Sequence, residues 1–186
     1  MTRDHPANAA AVTSTPDPAG LCIALLGRFA VWLGQFEVPT TAFPRRKALH
    51  LLKLIALQPG HQLHRDQALD LLWPHLTPRA ATAQLYKTIH HVRQAFAAVA
   101  PACSPETLLE LRHEVIRLTA PAGVHTDVAT FEQLAQDALR TGELRLLQQA
   151  VACYKGDLLS DDRYEEWTLT RRDAPVSYTH LRAHET

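Results

Sequence analysis

Residues 77–96, TPRAATAQLYKTIHHVRQAF, have the pattern of one long amphipathic helix. Thr77 suits the N-cap, because its hydroxyl can accept a bond from an early backbone N–H, and Pro78 suits the first helical position, which needs no N–H donor. Apolar residues then recur at helical spacing and form a core stripe: Ala81, Leu85, Ile89, Val92, Phe96 and Val99. Pro101 is expected to close the helix.

A β-hairpin is predicted directly after this helix. Residues 108–111 and 115–118 alternate apolar and polar side chains, with Arg112-His113-Glu114 between them. Two shorter helices are predicted before the long helix, at 45–58 and 65–73, and each is stopped by a following proline.

The N-terminal part predicts a small antiparallel sheet. Its β-prone runs, at 21–26, 29–33 and 35–38, are separated by glycine and followed by proline. Residues 1–20 are rich in Ala, Thr, Pro and Asp without periodicity, which is typical of a disordered tail. The predicted order is thus sheet, three helices and hairpin, an α+β arrangement.

The chain after residue 120 predicts an acidic helical array. Asp127 is expected to cap a helix that ends at Gly142, a second helix is expected at 143–154, and a third begins near Asp161 and presents Tyr164 and Trp167. The first two helices are expected to turn these side chains inward: Phe131, Leu134, Ala135, Ala138, Leu139, Leu147, Val151 and Tyr154. Two and a half helices cannot bury their own apolar faces well, so the surfaces around Leu147, Val151 and Trp167 are expected to be partly exposed.

The net charge of zero hides two blocks of opposite sign. Residues 44–100 hold eight Lys and Arg against two Asp, a net charge of +6, whereas residues 121–175 hold ten acidic and six basic side chains, a net charge of −4. A basic block suits binding to a polyanion such as DNA, although chance clustering of charged side chains on solvated faces explains the two net charges equally well.

Several classes of function find no support in the sequence. The longest apolar run, 21–26, is too short to span a bilayer and no signal peptide is visible, so a cytoplasmic protein is expected. Three widely spaced cysteines favour reduced thiols over a disulfide framework or a zinc ribbon. Eleven histidines form no metal motif, and phosphate-binding and nucleophile motifs are absent, so no metal, cofactor or enzymatic activity is expected.

Several ordered motifs resemble those of one regulator family. In the first half they are LLGRF at 25–29, PRRKA at 44–48, LDLLWP at 69–74 and the helix at 80–96. In the second half they are TDVATF at 126–131 and YKGDLLSDD at 154–162, followed by Glu166-Trp167. Together they are similar to the OmpR-type winged helix of SARP-type (antibiotic regulatory) activators and to the start of the bacterial transcriptional activator domain that follows it there.

The resemblance implies a winged helix-turn-helix at 21–120 and a truncated, tetratricopeptide-like activator domain at 125–175. The chain departs from the family at the wing tip, which lacks a glycine, and at the core positions Val92 and Phe96. It departs again at Pro175, which interrupts an expected helix. Residues 176–186 resemble a translated adapter segment and are set aside as non-native.

The third helix carries the residues expected to read DNA. Small residues on its outer face let it sit deep in the major groove, where Gln84, Lys87 and His90 can offer hydrogen bonds to base edges. The remaining DNA-binding candidates open the first and third helices, flank the reading face or lie on the hairpin: Arg45, Arg46, Lys47, Arg79, Thr82, Tyr86, His91, Arg93, Arg112 and His113. An ordinary solvated face is the alternative, and for Arg93 a structural ion pair.

Two functions follow from these residues and stay open. The first is a sequence-specific regulator that binds double-stranded DNA, and the resemblance implies an activator that contacts RNA polymerase and binds repeated half-sites as a homodimer. The second is a protein-interaction adaptor with a degenerate winged helix, whose tetratricopeptide-like helices contact the partner. The basic block favours the first.

Overall fold

The computed structural model describes residues 20–101, 103–162, 165 and 167. The expected tails at 1–20 (apart from residue 20) and at 176–186, and most of the third C-terminal helix, Tyr164 included, lie outside the described residues. The strands are β1 (Leu21–Ala24), β2 (Ala30–Leu33), β3 (Phe36–Glu37), β4 (Gln62–His64), β5 (Leu109–Arg112), β6 (Val115–Leu118) and β7 (Val124–Thr126). The helices are α1 (Arg46–Ala56), α2 (Arg65–Leu72), α3 (Pro78–Val99), α4 (Pro105–Leu108), α5 (Asp127–Thr141) and α6 (Leu144–Cys153), with 3-10 turns at Thr40–Ala42, Pro59–His61 and Ser160–Asp162.

The first sheet has the strand order β3-β2-β1-β7. The antiparallel pairing of β1 with β2, and of β2 with β3, confirms the predicted N-terminal sheet. Strand β7 adds a fourth strand, parallel to β1, which the sequence pattern did not reveal. The first sheet therefore joins the start of the described chain to the residues that directly precede α5.

Helices α1, α2 and α3 form the centre of the hydrophobic core. Eight of the eleven residues of α1 are buried, because leucines lie on several of its faces. The N-cap and first position predicted for α3 are confirmed, since the Thr77 hydroxyl accepts a bond from the Ala80 N–H at 3.4 Å and Pro78 opens the helix. The predicted stripe from Ala81 to Phe96 is buried, and Val99 is half-buried.

The hairpin of β5 and β6 confirms the predicted wing and gains a third strand. Its sheet has the order β4-β6-β5, with Leu63 opposite Ile116 and Leu109 opposite Leu118. Strand β4 was not predicted, because three residues between two helices give too short a run to show alternation. Its pairing with β6 places the wing next to the beginning of α2.

Helices α5 and α6 pack against each other, and the structure corrects three predictions about this part of the chain. The N-cap of α5 is Thr126, whose hydroxyl accepts from the Ala129 N–H at 3.1 Å, and not Asp127. Leu139 and Val151 do not point inward as predicted, because the adjacent residues Ala138 and Ala150 take the inward positions, and Leu139 is 79% exposed. The partial exposure expected around Leu147 and Val151 is confirmed, since Leu147 is half-buried and Val151 is exposed.

Trp167 is the third correction, because it is buried where partial exposure was expected. Its ring lies 5.2 Å from the ring of His50, which belongs to α1. Trp167 is therefore buried against α1, in the first half of the chain, and its burial does not require further helices after α6.

The end predicted for α5 is confirmed, since Gly142 has a φ of 72° and adopts the left-handed conformation of a helix C-cap.

A seam of contacts, which we call the docking seam, joins residues 25–27 to residues 157–160. The Gly27 N–H donates to the Asp157 carbonyl at 3.0 Å, and the Leu159 N–H donates to the Leu25 carbonyl at 2.9 Å. Gly27 has a φ of +80°, and a Cβ placed there would lie 2.9 Å from the Lys155 carbonyl oxygen. Only glycine fits this approach, so Gly27 is required where the two segments meet.

Asp127 reinforces the docking seam from the start of α5. Its two carboxylate oxygens accept separately from the backbone N–H groups of Leu25, at 2.8 Å, and Leu26, at 2.9 Å. The buried apolar residues on both sides of the seam, among them Val31 and Phe131, belong to one continuous core.

No helix among the described residues is long and apolar enough to cross a membrane.

Candidate nucleic-acid interface

The outer face of α3 is exposed as the helical pattern predicts. Its exposed positions are Arg79, Ala80, Ala83, Gln84, Tyr86, Lys87, His90 and Gln94. Thr82, His91 and Arg93 are half-buried at the edges of this face. The exposed face combines two small residues with several hydrogen-bonding side chains, a combination that suits close approach to base edges.

Two of the edge residues already have partners on the helix itself. The Thr82 hydroxyl donates to the Pro78 carbonyl at 2.8 Å, one turn earlier, so its proton is committed while its lone pairs stay available. The His91 Nδ1 lies 3.4 Å from the Gln94 side-chain oxygen. These bonds orient both side chains along the helix axis.

Arg93 makes a structural contact between α3 and the wing sheet. Its Nε and Nη2 both donate to the Leu109 carbonyl oxygen, at 3.0 and 2.8 Å. Of the two roles left open for this side chain, the geometry favours a structural one, although its partner is a backbone carbonyl and not a carboxylate. Arg93 thereby fixes the origin of the hairpin relative to α3.

The tip of the wing is exposed and carries the candidates Arg112 and His113 beside the acidic Glu114. Arg112 and His113 are both exposed, and Arg112 lies 3.6 Å from the Glu110 carboxylate on the same strand. Arg117 donates to the Gln62 side chain at 2.8 Å, which ties β6 to β4. The wing therefore presents two of the predicted candidates, Arg112 and His113, to solvent.

The three cations that begin α1 have different surroundings. Arg45 is exposed and Lys47 is half-buried. Arg46 is also exposed, but its guanidinium lies 3.1 Å from the Glu165 carboxylate and 3.6 Å from that of Asp162. To reach a phosphate, Arg46 would have to give up both carboxylates.

A buried ionic cluster on α1 was missed by the sequence analysis. The Lys53 ammonium donates to the Asp162 carboxylate at 2.5 Å and lies 4.3 Å from the centre of the Phe29 ring. The His50 Nε2 lies 3.3 Å from the same carboxylate. Arg46, His50 and Lys53 recur at helical spacing, a signal that could have indicated a polar stripe within the apolar helix.

The cluster holds Asp162 in its ionised form. Burial opposes ionisation of this carboxyl, but hydrogen bonds from His50 and Lys53 and the charge of Lys53 outweigh burial and hold its pKa well below its usual range. The cluster thus joins α1 to the turn at Ser160–Asp162.

These contacts reduce the number of cations that are free to meet a polyanion. Within the described part of the chain, no acidic side chain lies within ion-pair distance of Arg45, Lys47, Arg79 or Lys87. Arg46, Lys53 and Arg65 have acidic partners, and Arg93 is hydrogen-bonded to a carbonyl. The sequence-based charge of +6 therefore overstates the unpaired charge on this surface.

The described residues contain no group of three or more His, Cys, Asp and Glu side chains that could hold a metal ion. Cys22, Cys103 and Cys153 are free thiols and are partly buried.

Comparisons with known proteins find a similarity in structure but none in sequence families. No protein-family profile and no curated protein sequence matches the chain. The chain is similar in structure to EmbR from Mycobacterium tuberculosis, solved in complex with a low-affinity phosphopeptide, with a TM-score of 0.58 and 21% sequence identity. The match covers 83% of this chain and 42% of the EmbR chain, so the protein spans well under half the length of that neighbour. The likeness shows that the described part of this chain shares its fold with the matched part of EmbR.

Proposed function

We propose that the protein is a sequence-specific transcription regulator that binds duplex DNA with α3 in the major groove and the wing on the flanking backbone. The observation that carries the proposal is the exposed outer face of α3, which combines small residues with hydrogen-bonding side chains and is followed in the fold by an exposed hairpin that carries Arg112 and His113. The SARP-like fold supports the same assignment.

The side chains on this surface divide into two roles. Gln84, Lys87 and His90 face outward and read base edges. The phosphate contacts come from the cations without acidic partners and from the wing: Arg45, Lys47, Arg79, Arg112 and His113. Thr82, Tyr86 and His91 flank the reading face and contact sugar or phosphate. Arg46 and Arg93 add phosphate contacts only after leaving their present partners.

The resemblance to SARP-type activators extends this proposal to partners. We propose two domains, the winged helix at 21–120 and a tetratricopeptide-like domain at 125–175, in a cytoplasmic activator without enzymatic activity. The implied partners are RNA polymerase and a second copy of the chain on repeated half-sites. DNA binding itself does not depend on these further assignments.

The protein-interaction adaptor is the second candidate, and one observation favours it. Leu139 and Leu144 are 79% and 67% exposed on either side of the turn between α5 and α6, and neighbouring exposed apolar side chains can form a protein-interaction patch. In an adaptor the winged helix would not bind DNA at all, so direct measurement of DNA binding separates the two candidates.

Fluorescence anisotropy with labelled genomic fragments across a range of salt concentrations provides that measurement. With four to five phosphate contacts, the logarithm of affinity is expected to fall against the logarithm of salt with a slope of about −3.5 to −4.5. Arg145→Ala removes a cation from α6 and serves as the control, with an unchanged slope. Absence of binding at low salt would contradict the regulator and favour the adaptor.

A further inference from the structure

The turn at the tip of the wing has an unfavourable backbone. The register pairs Arg112 with Val115, so His113 and Glu114 form a two-residue turn. Both have positive φ, 47° for His113 and 66° for Glu114. Two successive left-handed residues are the conformation that hairpins usually build with Asn-Gly, because side chains with a Cβ are strained there. A further contact is needed to hold this turn.

Arg65 supplies two contacts to this turn from the start of α2. Its backbone N–H donates to the Glu114 carbonyl at 2.7 Å, and its guanidinium forms an ion pair with the Glu114 carboxylate. Arg65 directly follows His64 and Glu114 directly precedes Val115, so the pairing of His64 with Val115 brings Arg65 next to Glu114. A second carboxylate, from Asp66, accepts from the Arg65 Nε at 3.1 Å and orients the guanidinium.

We propose that Arg65 and Glu114, together the wing clamp, position the wing for DNA binding by holding the strained turn in the conformation that presents Arg112 and His113. The inference rests on the proposed function, because it assigns the wing to DNA. Neither Arg65 nor Glu114 contacts DNA in this role; both are positioning residues.

The charge of Glu114 makes the proposal sharply testable. A carboxylate near DNA repels phosphate, so electrostatics alone predicts that Glu114→Gln binds DNA more tightly. The wing clamp predicts the opposite, a loss of about threefold to tenfold in affinity, as expected when coupling between contacting residues is broken. Glu110→Gln is the matched control, because it removes the same charge from the same hairpin. It is expected to bind as tightly as the parent protein or more tightly.

A rescue variant distinguishes positioning from direct contact. The double variant His113→Asn with Glu114→Gly lacks the Glu114 carboxylate but has the turn sequence that adopts this conformation by itself. It is expected to bind DNA within about twofold of a His113→Asn single variant, in contrast to Glu114→Gln. Rescue would not occur if the Glu114 carboxylate acted through a contact of its own.

Amide hydrogen exchange at residues 112–115 tests the wing clamp without DNA. Glu114→Gln is expected to speed exchange there by severalfold and leave α3 unchanged, whereas Glu110→Gln leaves both unchanged. Unaltered exchange in Glu114→Gln, affinity equal to that of Glu110→Gln, or a failed rescue would each overturn the clamp. If the parent protein binds no DNA, the proposed function fails, and the exchange result then decides the clamp alone.

Discussion

Replacing Asp162 by asparagine is expected to destabilise the protein by about 3 to 5 kcal/mol, because it leaves a buried cation without its counter-ion. Lys53 and Asp162 are each 4% exposed and form their ion pair at 2.5 Å. The asparagine has nearly the same volume, so packing changes little and the loss is electrostatic. For a domain of this length it corresponds to a melting temperature lower by about 6 to 20 °C.

Urea denaturation at pH 7, followed by tryptophan fluorescence, measures this change, since Trp167 lies against the His50 ring beside the cluster. Asp161→Asn is the matched control: it removes the same charge from the neighbouring exposed residue, and a change of no more than about 0.5 kcal/mol is expected. Combining Asp162→Asn with Lys53→Met removes both charges and is expected to recover more than half of the lost stability. Equal unfolding free energies for Asp162→Asn and Asp161→Asn would refute the stabilising role of the buried ion pair.

The pH dependence of stability has a definite sign. The pKa of Asp162 is held below its usual value in the folded protein. Its stabilising contribution is therefore complete above the unfolded value of about 3.9 and is lost as the pH falls from there towards the lower folded value. Asp162→Asn is expected to lose less stability than the parent protein over this acidic interval.

Two further predictions concern the proposed DNA surface and the docking seam. Lys87→Ala is expected to cost about 1 to 3 kcal/mol of binding free energy on the best DNA site and to relax discrimination at one or two base positions, whereas Arg45→Ala weakens binding to all sequences alike and reduces the salt slope by about one unit. Selection from a random-site library measures the first effect and salt titration the second. A changed sequence motif in Arg45→Ala would invert these roles. Gly27→Ala is expected to cost at least about 1 to 3 kcal/mol, because its φ is +80° and the new Cβ meets the Lys155 carbonyl at 2.9 Å, and an unchanged denaturation midpoint would contradict that contact.

Local patterns allowed α3 and its outer face to be predicted. The Thr77 cap, the stripe from Ala81 to Phe96 and the exposed position of Lys87 all depend on residues within a few helical turns. The hairpin was predictable for the same reason, since its two strands are adjacent in the chain. These features contain most of the proposed base-reading surface.

The missed features depend on contacts between distant residues. Strand β7 pairs with β1 across about a hundred residues, and a three-residue run shows no periodicity that would reveal it. Asp127 resembled a helix cap because Asp is favoured there, but besides the adjacent Val128 N–H its carboxylate accepts from the distant backbone N–H groups of Leu25 and Leu26. Charge counting likewise could not show that Lys53 turns inward to meet Asp162. In each case the distant partner could be identified only once the fold was known.

The docking seam limits how the proposed regulator can be recombined with other proteins of this fold. A fragment cut after the wing, at Leu118, would lack β7 and Asp127 and would leave the Leu25 and Leu26 N–H groups without their acceptors. It would also uncover the Lys53 ammonium. Grafting a foreign DNA-reading head onto this helical part would therefore require matched loops at 25–27 and 157–160. Chimeras cut within α3 or at the wing turn would keep the native seam, and such cuts would exchange only the proposed DNA-contacting surface.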